Sequence, residues 1–169
     1  MSTLIILLLI FLQDWKGRAV YWFLFPLLVI LLIYIRSRPT IFLPEFERSV
    51  LINMSFIGVQ LVILTLYFSI KNKRWTNITA GLLGLGDILF LLSIAFYLST
   101  LNFLFFYIIS LIAVLLIWLI WQRLSAKKNK YIPLAGLQSL VSILFLLGDW
   151  WLQYFDLTND TWLLNLIAR

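Results

Sequence analysis

Apolar side chains run almost unbroken through six stretches of this chain, approximately 2–14, 19–35, 50–70, 78–98, 101–121 and 132–152. Short polar breaks separate them: Lys16 to Arg18, Arg36 to Arg48, Lys71 to Asn77, Ser99 to Asn102, and Gln122 to Tyr131. A hydrocarbon core about 30 Å thick is crossed by roughly 20 helical residues, so the pattern predicts six transmembrane helices. The expectation is an all-α polytopic membrane protein with one six-helix domain over 1–152. No linker, low-complexity tract, soluble module or internal repeat interrupts it. Residues 153–169 read as a tail in which Trp162, Leu163, Leu166 and Ile167 fall at helical spacing behind Asn159 or Asp160, either of which suits an N-cap. That predicts a short amphipathic helix lying on the outer face. The first run lacks the basic region and small-residue cleavage site of a secretory signal, so it reads as a retained helix.

Composition agrees with the pattern. Of 169 residues, 63% are hydrophobic and 12% charged, with a mean hydropathy of +1.03, leaving too little polar material to cover a water-soluble globule. Cys and His are both absent. Disulfide frameworks, thiol nucleophiles, cysteine/histidine zinc sites and Ser-His-Asp triads are thereby excluded. Any catalysis falls to carboxylates, hydroxyls, Lys or Arg. The basic residues are dispersed over short loops without a contiguous face, which argues against nucleic acid as a partner.

Charge orients the chain. The first, third and fifth breaks hold nine of the 13 basic residues, and the other side holds Arg36, Arg38, Arg48 and Arg169. The positive-inside rule then puts the odd loops in the cytoplasm and the N-terminus outside, as for a multi-pass protein of the cytoplasmic (inner) membrane. Trp15, Trp22, Trp75, Trp118, Trp121, Trp150 and Trp151 lie near the predicted span ends, where indole rings anchor at headgroup level.

Seven acids remain to be placed. Glu45 and Glu47 in the second break, and Asp156 and Asp160 in the tail, read as solvated surface charges, and Asp149 as interfacial. Asp14 and Asp87 do not fit that description. Each lies about 12 residues, roughly 18 Å of helix, in from the outer face, so the two share a depth in the membrane. A charge at such depth costs about 2.5–3.5 kcal/mol even on the mildest scale, and such groups face a protein interior or aqueous cavity with a partner. Two carboxylates at close range hold one proton between them over a range of pH. The ionised member can take a proton from water while the protonated member donates to an amide carbonyl, the requirement for amide hydrolysis. The plainer alternative makes Asp14 an edge charge beside Lys16 and Arg18, and Asp87 an interhelical hydrogen-bond partner.

Glycines cluster before one of these acids, at Gly81, Gly84 and Gly86. Small residues suit close helix packing. They also suit a non-helical segment lining a cavity, where Gly84 and Gly86 would let a substrate backbone approach Asp87.

Gly84-Leu85-Gly86-Asp87 resembles the GxGD motif of intramembrane aspartyl proteases. Asp14-Trp15-Lys16-Gly17-Arg18-Ala19-Val20 resembles the aspartate, basic residues and aliphatic that close the first helix of type IV prepilin peptidases. Tyr131-Ile132-Pro133-Leu134-Ala135 is similar to the Ile-Pro stretch that opens their last helix. The resemblance covers most of the chain. It implies a short, peptidase-only member that cleaves the leaders of prepilin-like precursors at the cytoplasmic side, serving type IV pilus-like systems. Asp14 and Asp87 would be its catalytic acids, and Gly84, Gly86, Lys16, Arg18 and Pro133 would contact the peptide, with no metal. Two positions depart: Leu89 stands where the family usually has Lys, and Tyr21 where Pro often follows the first motif. Those departures motivate an alternative, a catalytically silent scaffold or assembly factor bound to a membrane-protein partner. A proton-coupled carrier using Asp87 is a third reading, against which stand the single acidic pair and the lack of an evident inverted repeat.

Overall fold

The computed structural model describes residues 1–17, 19–36, 44–73, 75, 83–124, 132–152 and 156–167. Among them the chain is all-helical, in the order α1 (Ser2–Gly17), α2 (Leu24–Arg36), α3 (Pro44–Lys71), α4 (Leu85–Ala95), α5 (Thr100–Leu124), α6 (Leu134–Leu152) and α7 (Thr161–Ile167). Three segments are long and apolar enough to cross a membrane: Glu45–Lys71, Thr100–Leu124 and Leu134–Trp151. By length and composition these are the helices of a membrane protein. The helices α2 and α4 are apolar but shorter, 13 and 11 residues.

The core is built from helical stripes. In α1 the buried residues Thr3, Leu7, Ile10 and Asp14 recur every three or four positions and form one face. That face packs on α6, the most closely associated helix of the fold. Leu24, Leu28 and Leu32 of α2, Phe90 and Ile94 of α4, and Phe103 and Phe106 of α5 complete the apolar centre. The outer surfaces of α3 and α5 stay apolar and exposed, as at Val59, Val62, Ile63, Ile112 and Leu116. That exposure suits hydrocarbon as solvent.

Two helices start later than the hydrophobic pattern indicates. The second begins at Leu24 rather than near 19, because the chain turns at Trp22 and Phe23, where the Leu24 N–H donates to the Tyr21 carbonyl and the Tyr21 N–H donates to Gln13 Oε1, both at 3.1 Å. The fourth begins at Leu85 rather than near 78. There Gly84 is the extended N-cap (φ −67°, ψ 139°), and the Asp87 carboxylate accepts the Gly84 N–H at 3.2 Å. Apolarity measures what the lipid tolerates; capping chemistry sets where the helix starts.

The tail also differs from expectation. Its helix forms at Thr161–Ile167, but Leu157 and Leu163 are buried against the bundle and the Trp162 ring meets Phe105 edge-on at 6.0 Å. The segment is docked onto α5 rather than only resting on a surface. Asp160, expected as a solvated charge, is what docks it: its Oδ1 accepts from Ser99 Oγ and from the N–H groups of Leu101 and Asn102 at 2.5, 3.1 and 3.2 Å. A tail carboxylate thus caps the first turn of α5. Asn102 completes the joint by donating to the Asp156 and Asn159 carbonyls.

Candidate functional site

Asp14 and Asp87, 73 positions apart in the chain, both end at the first turn of α6. Asp14 Oδ2 accepts the Gly136 N–H at 2.6 Å, and Asp87 Oδ1 accepts the Ala135 N–H at 2.7 Å. The first N–H groups of a helix lack intrahelical partners and carry the positive end of its dipole, so this is where carboxylates in an apolar bundle are stabilised. Because the two amides belong to successive residues, standard backbone dimensions keep the bonded carboxylate oxygens within about 9 Å of each other.

Each acid reaches this point for a local reason. Asp14 continues the buried stripe of α1 one turn beyond Ile10 and is itself 8% exposed. Asp87 is the third residue of α4 and only half-buried, reached through the exposed Gly84 and Leu85. Its second oxygen holds the Gly84 N–H, which closes the GxGD stretch into a helix cap. A Cβ on Gly84 would stand 3.0 Å from that oxygen.

Gly136 is the residue the sequence analysis missed. A Cβ there would lie 3.0 Å from both Asp14 Cβ and Asp14 Oδ2, and 3.3 Å from the Phe11 carbonyl oxygen. A side chain here would push on Asp14 and the Phe11 carbonyl, so the close approach of α1 to α6, and with it the short Asp14 bond, suits glycine at this position. The signal was present as a small pair, Ala135-Gly136, directly after the Ile-Pro stretch. Polar residues inside apolar runs were a second unused signal. Asn53 donates to the Ala95 and Leu98 carbonyls at 3.2 and 3.0 Å.

The remaining candidates divide. Pro133 precedes the first residue of α6, and its carbonyl accepts the Leu137 N–H at 3.1 Å, so it belongs to the turn that holds both acids. Gly86 faces α2, where a Cβ would stand 3.7 Å from the Phe25 ring, an ordinary packing distance. Lys16 is exposed and lines a shallow groove of about 450 Å³ with Leu9, Leu12 and Gln13. Those residues form the face of α1 opposite the Asp14 stripe, so Lys16 is not brought to the acids. Arg18 and Gly81 lie outside the described residues.

Asp149 is held at the other end of α6. It accepts from the Tyr97 hydroxyl at 2.9 Å and from the Leu157 N–H at 3.2 Å. That bridge links α6, the end of α4 and the tail.

The chain matches no known protein family, no characterised protein and no solved structure. Among the described residues no group of three or more His, Cys, Asp or Glu could hold a metal ion. What meets at the head of α6 is a pair of carboxylates.

Proposed function

We propose that this chain is an intramembrane aspartyl endopeptidase resembling the prepilin peptidases, with Asp14 and Asp87 as its two acids. The observation that supports the reading is their convergence on successive amides of α6, Gly136 and Ala135. In this reading the six apolar runs each cross the cytoplasmic membrane, the N-terminus lies outside, and the acids work near the cytoplasmic side. One carboxylate, ionised, takes a proton from a water as that water's oxygen adds to the scissile carbonyl carbon. The other, protonated, donates to the carbonyl oxygen. Collapse of the tetrahedral species breaks the carbon–nitrogen bond, the amine leaves with a proton, and the pair returns to its singly protonated state. The pH–rate profile of such a pair belongs to both members together. The substrate class proposed is the leader of prepilin-like precursors. Its backbone would approach Asp87 past Gly84, which is exposed and carries no side chain.

A second reading is favoured by the same hydrogen bonds. Both carboxylates cap α6, which is a structural task, and Leu89 leaves no lysine near Asp87 in the sequence. A catalytically silent scaffold for a membrane partner would need nothing more of them.

Asparagine separates the two readings, because it keeps an oxygen acceptor for the amide but cannot exchange a proton. Asp14→Asn and Asp87→Asn are expected to insert normally and to abolish cleavage of a co-expressed prepilin-like precursor. Full cleavage by both single variants would reject the protease. Retained biological function with stoichiometric co-purification of a membrane partner would establish the scaffold instead.

A further inference from the structure

The end of the bundle opposite the two acids carries a cavity of about 540 Å³ that neither reading uses. It opens where α2 finishes and α3 begins. Two guanidinium groups, Arg36 and Arg48, and three carboxylates, Glu45, Asp156 and Asp160, line it together with the Phe46 ring.

Several of these charges are held by the fold rather than left to wander. Arg36 is 8% exposed, and its Nη1 donates to the Phe96, Tyr97 and Leu98 carbonyls at 3.2, 2.8 and 3.4 Å. Its guanidinium carbon lies 4.7 Å from the centre of the Phe46 ring. Asp160 is anchored through Oδ1 to the head of α5, and Asp156 Oδ1 to the Thr158 N–H and hydroxyl. Fixed charges of both signs around one volume make a preorganised receptor for a ligand that carries both signs itself.

We infer that this cavity holds the headgroup of a phosphatidylethanolamine lipid, its phosphate toward Arg36 and Arg48 and its ammonium among Glu45, Asp156 and Asp160. A purely anionic headgroup would meet three carboxylates against two guanidiniums. A choline headgroup has no N–H to donate to these acceptors. A primary ammonium brings three donors to a lining with three carboxylates. The acyl chains have a track as well: Ile52 lines the cavity, and exposed Leu51, Val59, Val62 and Ile63 continue along α3.

The test is native mass spectrometry of the full-length protein, offered equal amounts of phosphatidylethanolamine, phosphatidylcholine and phosphatidylglycerol with identical chains. Phosphatidylethanolamine should be retained about tenfold over either competitor, the worth of one charge-assisted hydrogen bond. Arg48→Gln and Glu45→Gln, both at exposed positions, should reduce that preference severalfold while circular dichroism shows unchanged helix. Equal retention of the three lipids, or undiminished preference in both variants, would overturn the proposal. Displacement of the lipid by an equal concentration of soluble phosphoethanolamine would overturn its assignment to a membrane lipid.

Discussion

Asp14 Oδ2 accepts the Gly136 N–H at 2.6 Å, and it is the missing side chain of Gly136 that lets α1 come so close. The contact is made of backbone and a Cβ, neither of which can swing aside. The same helix turn offers its neighbouring N–H, on Ala135, to Asp87. The position of one carboxylate relative to the other is thus set by the pitch of α6.

Gly136→Ala should therefore disturb the site as well as the packing. The added methyl must displace Asp14 or the Phe11 carbonyl, and overpacking of this kind costs about 1–3 kcal/mol. A lowered thermal midpoint in detergent, together with lost precursor cleavage, is the expected result. Gly148→Ala is the control, since nothing lies within 4 Å of its added Cβ; an equal fall in both variants would contradict the packing argument.

Asparagine and alanine should part company at both acids. Asp14→Ala and Asp87→Ala leave an amide at the head of α6 without its acceptor and should cost about 1–3 kcal/mol each. The asparagine variants keep an acceptor and should lose less than half as much. Thermal unfolding of the four variants measures the difference, and identical losses would mean that the carboxylates do not cap α6.

Arg36→Gln removes the shared donor of three carbonyls at the end of α4. Leu98 keeps its bond from Asn53, but loss of the donor to the Phe96 and Tyr97 carbonyls should destabilise the protein by about 2–4 kcal/mol. Hydrogen exchange ought to accelerate across residues 94–98 before it does so in α6. Protection unchanged there would show that Asn53, which donates to the Ala95 carbonyl and shares the Leu98 carbonyl with Arg36, suffices alone.

Asp160→Ala should release the tail. Loss of this cap is worth about 1–2 kcal/mol, and limited proteolysis should then cut between α6 and α7 faster than in the parent protein. Asp160→Asn, with an acceptor retained, should be cut at an intermediate rate. Unaltered cleavage of the alanine variant would count against the docking of the tail through this residue.

How far the sequence could be read differs from residue to residue. Asp14 and Asp87 could be singled out because carboxylates amid apolar runs are costly, and depth counting put them at one level. Depth counting is blind to lateral order, so their common destination on α6 was not legible. Gly84 and Gly86 stood out as a motif, yet only Gly84 proves to cap the helix bearing Asp87, while Gly86 packs on Phe25. Lys16 was named as a peptide contact through the resemblance, and two residues along a helix turn its side chain to the face opposite Asp14. Asp160 looked like a surface charge because nothing local reveals that the chain folds back onto the start of α5.

Apolar length and the scarcity of charge determined, from the sequence by itself, that this is a helical membrane protein with two misplaced acids, because lipid solvation acts on each residue independently. Which helices touch, where α4 begins, and that one helix end serves both acids were decided by the tertiary structure alone. Those outcomes depend on pairs of residues far apart in the chain meeting at a few ångströms, and a glycine without a side chain set the distance.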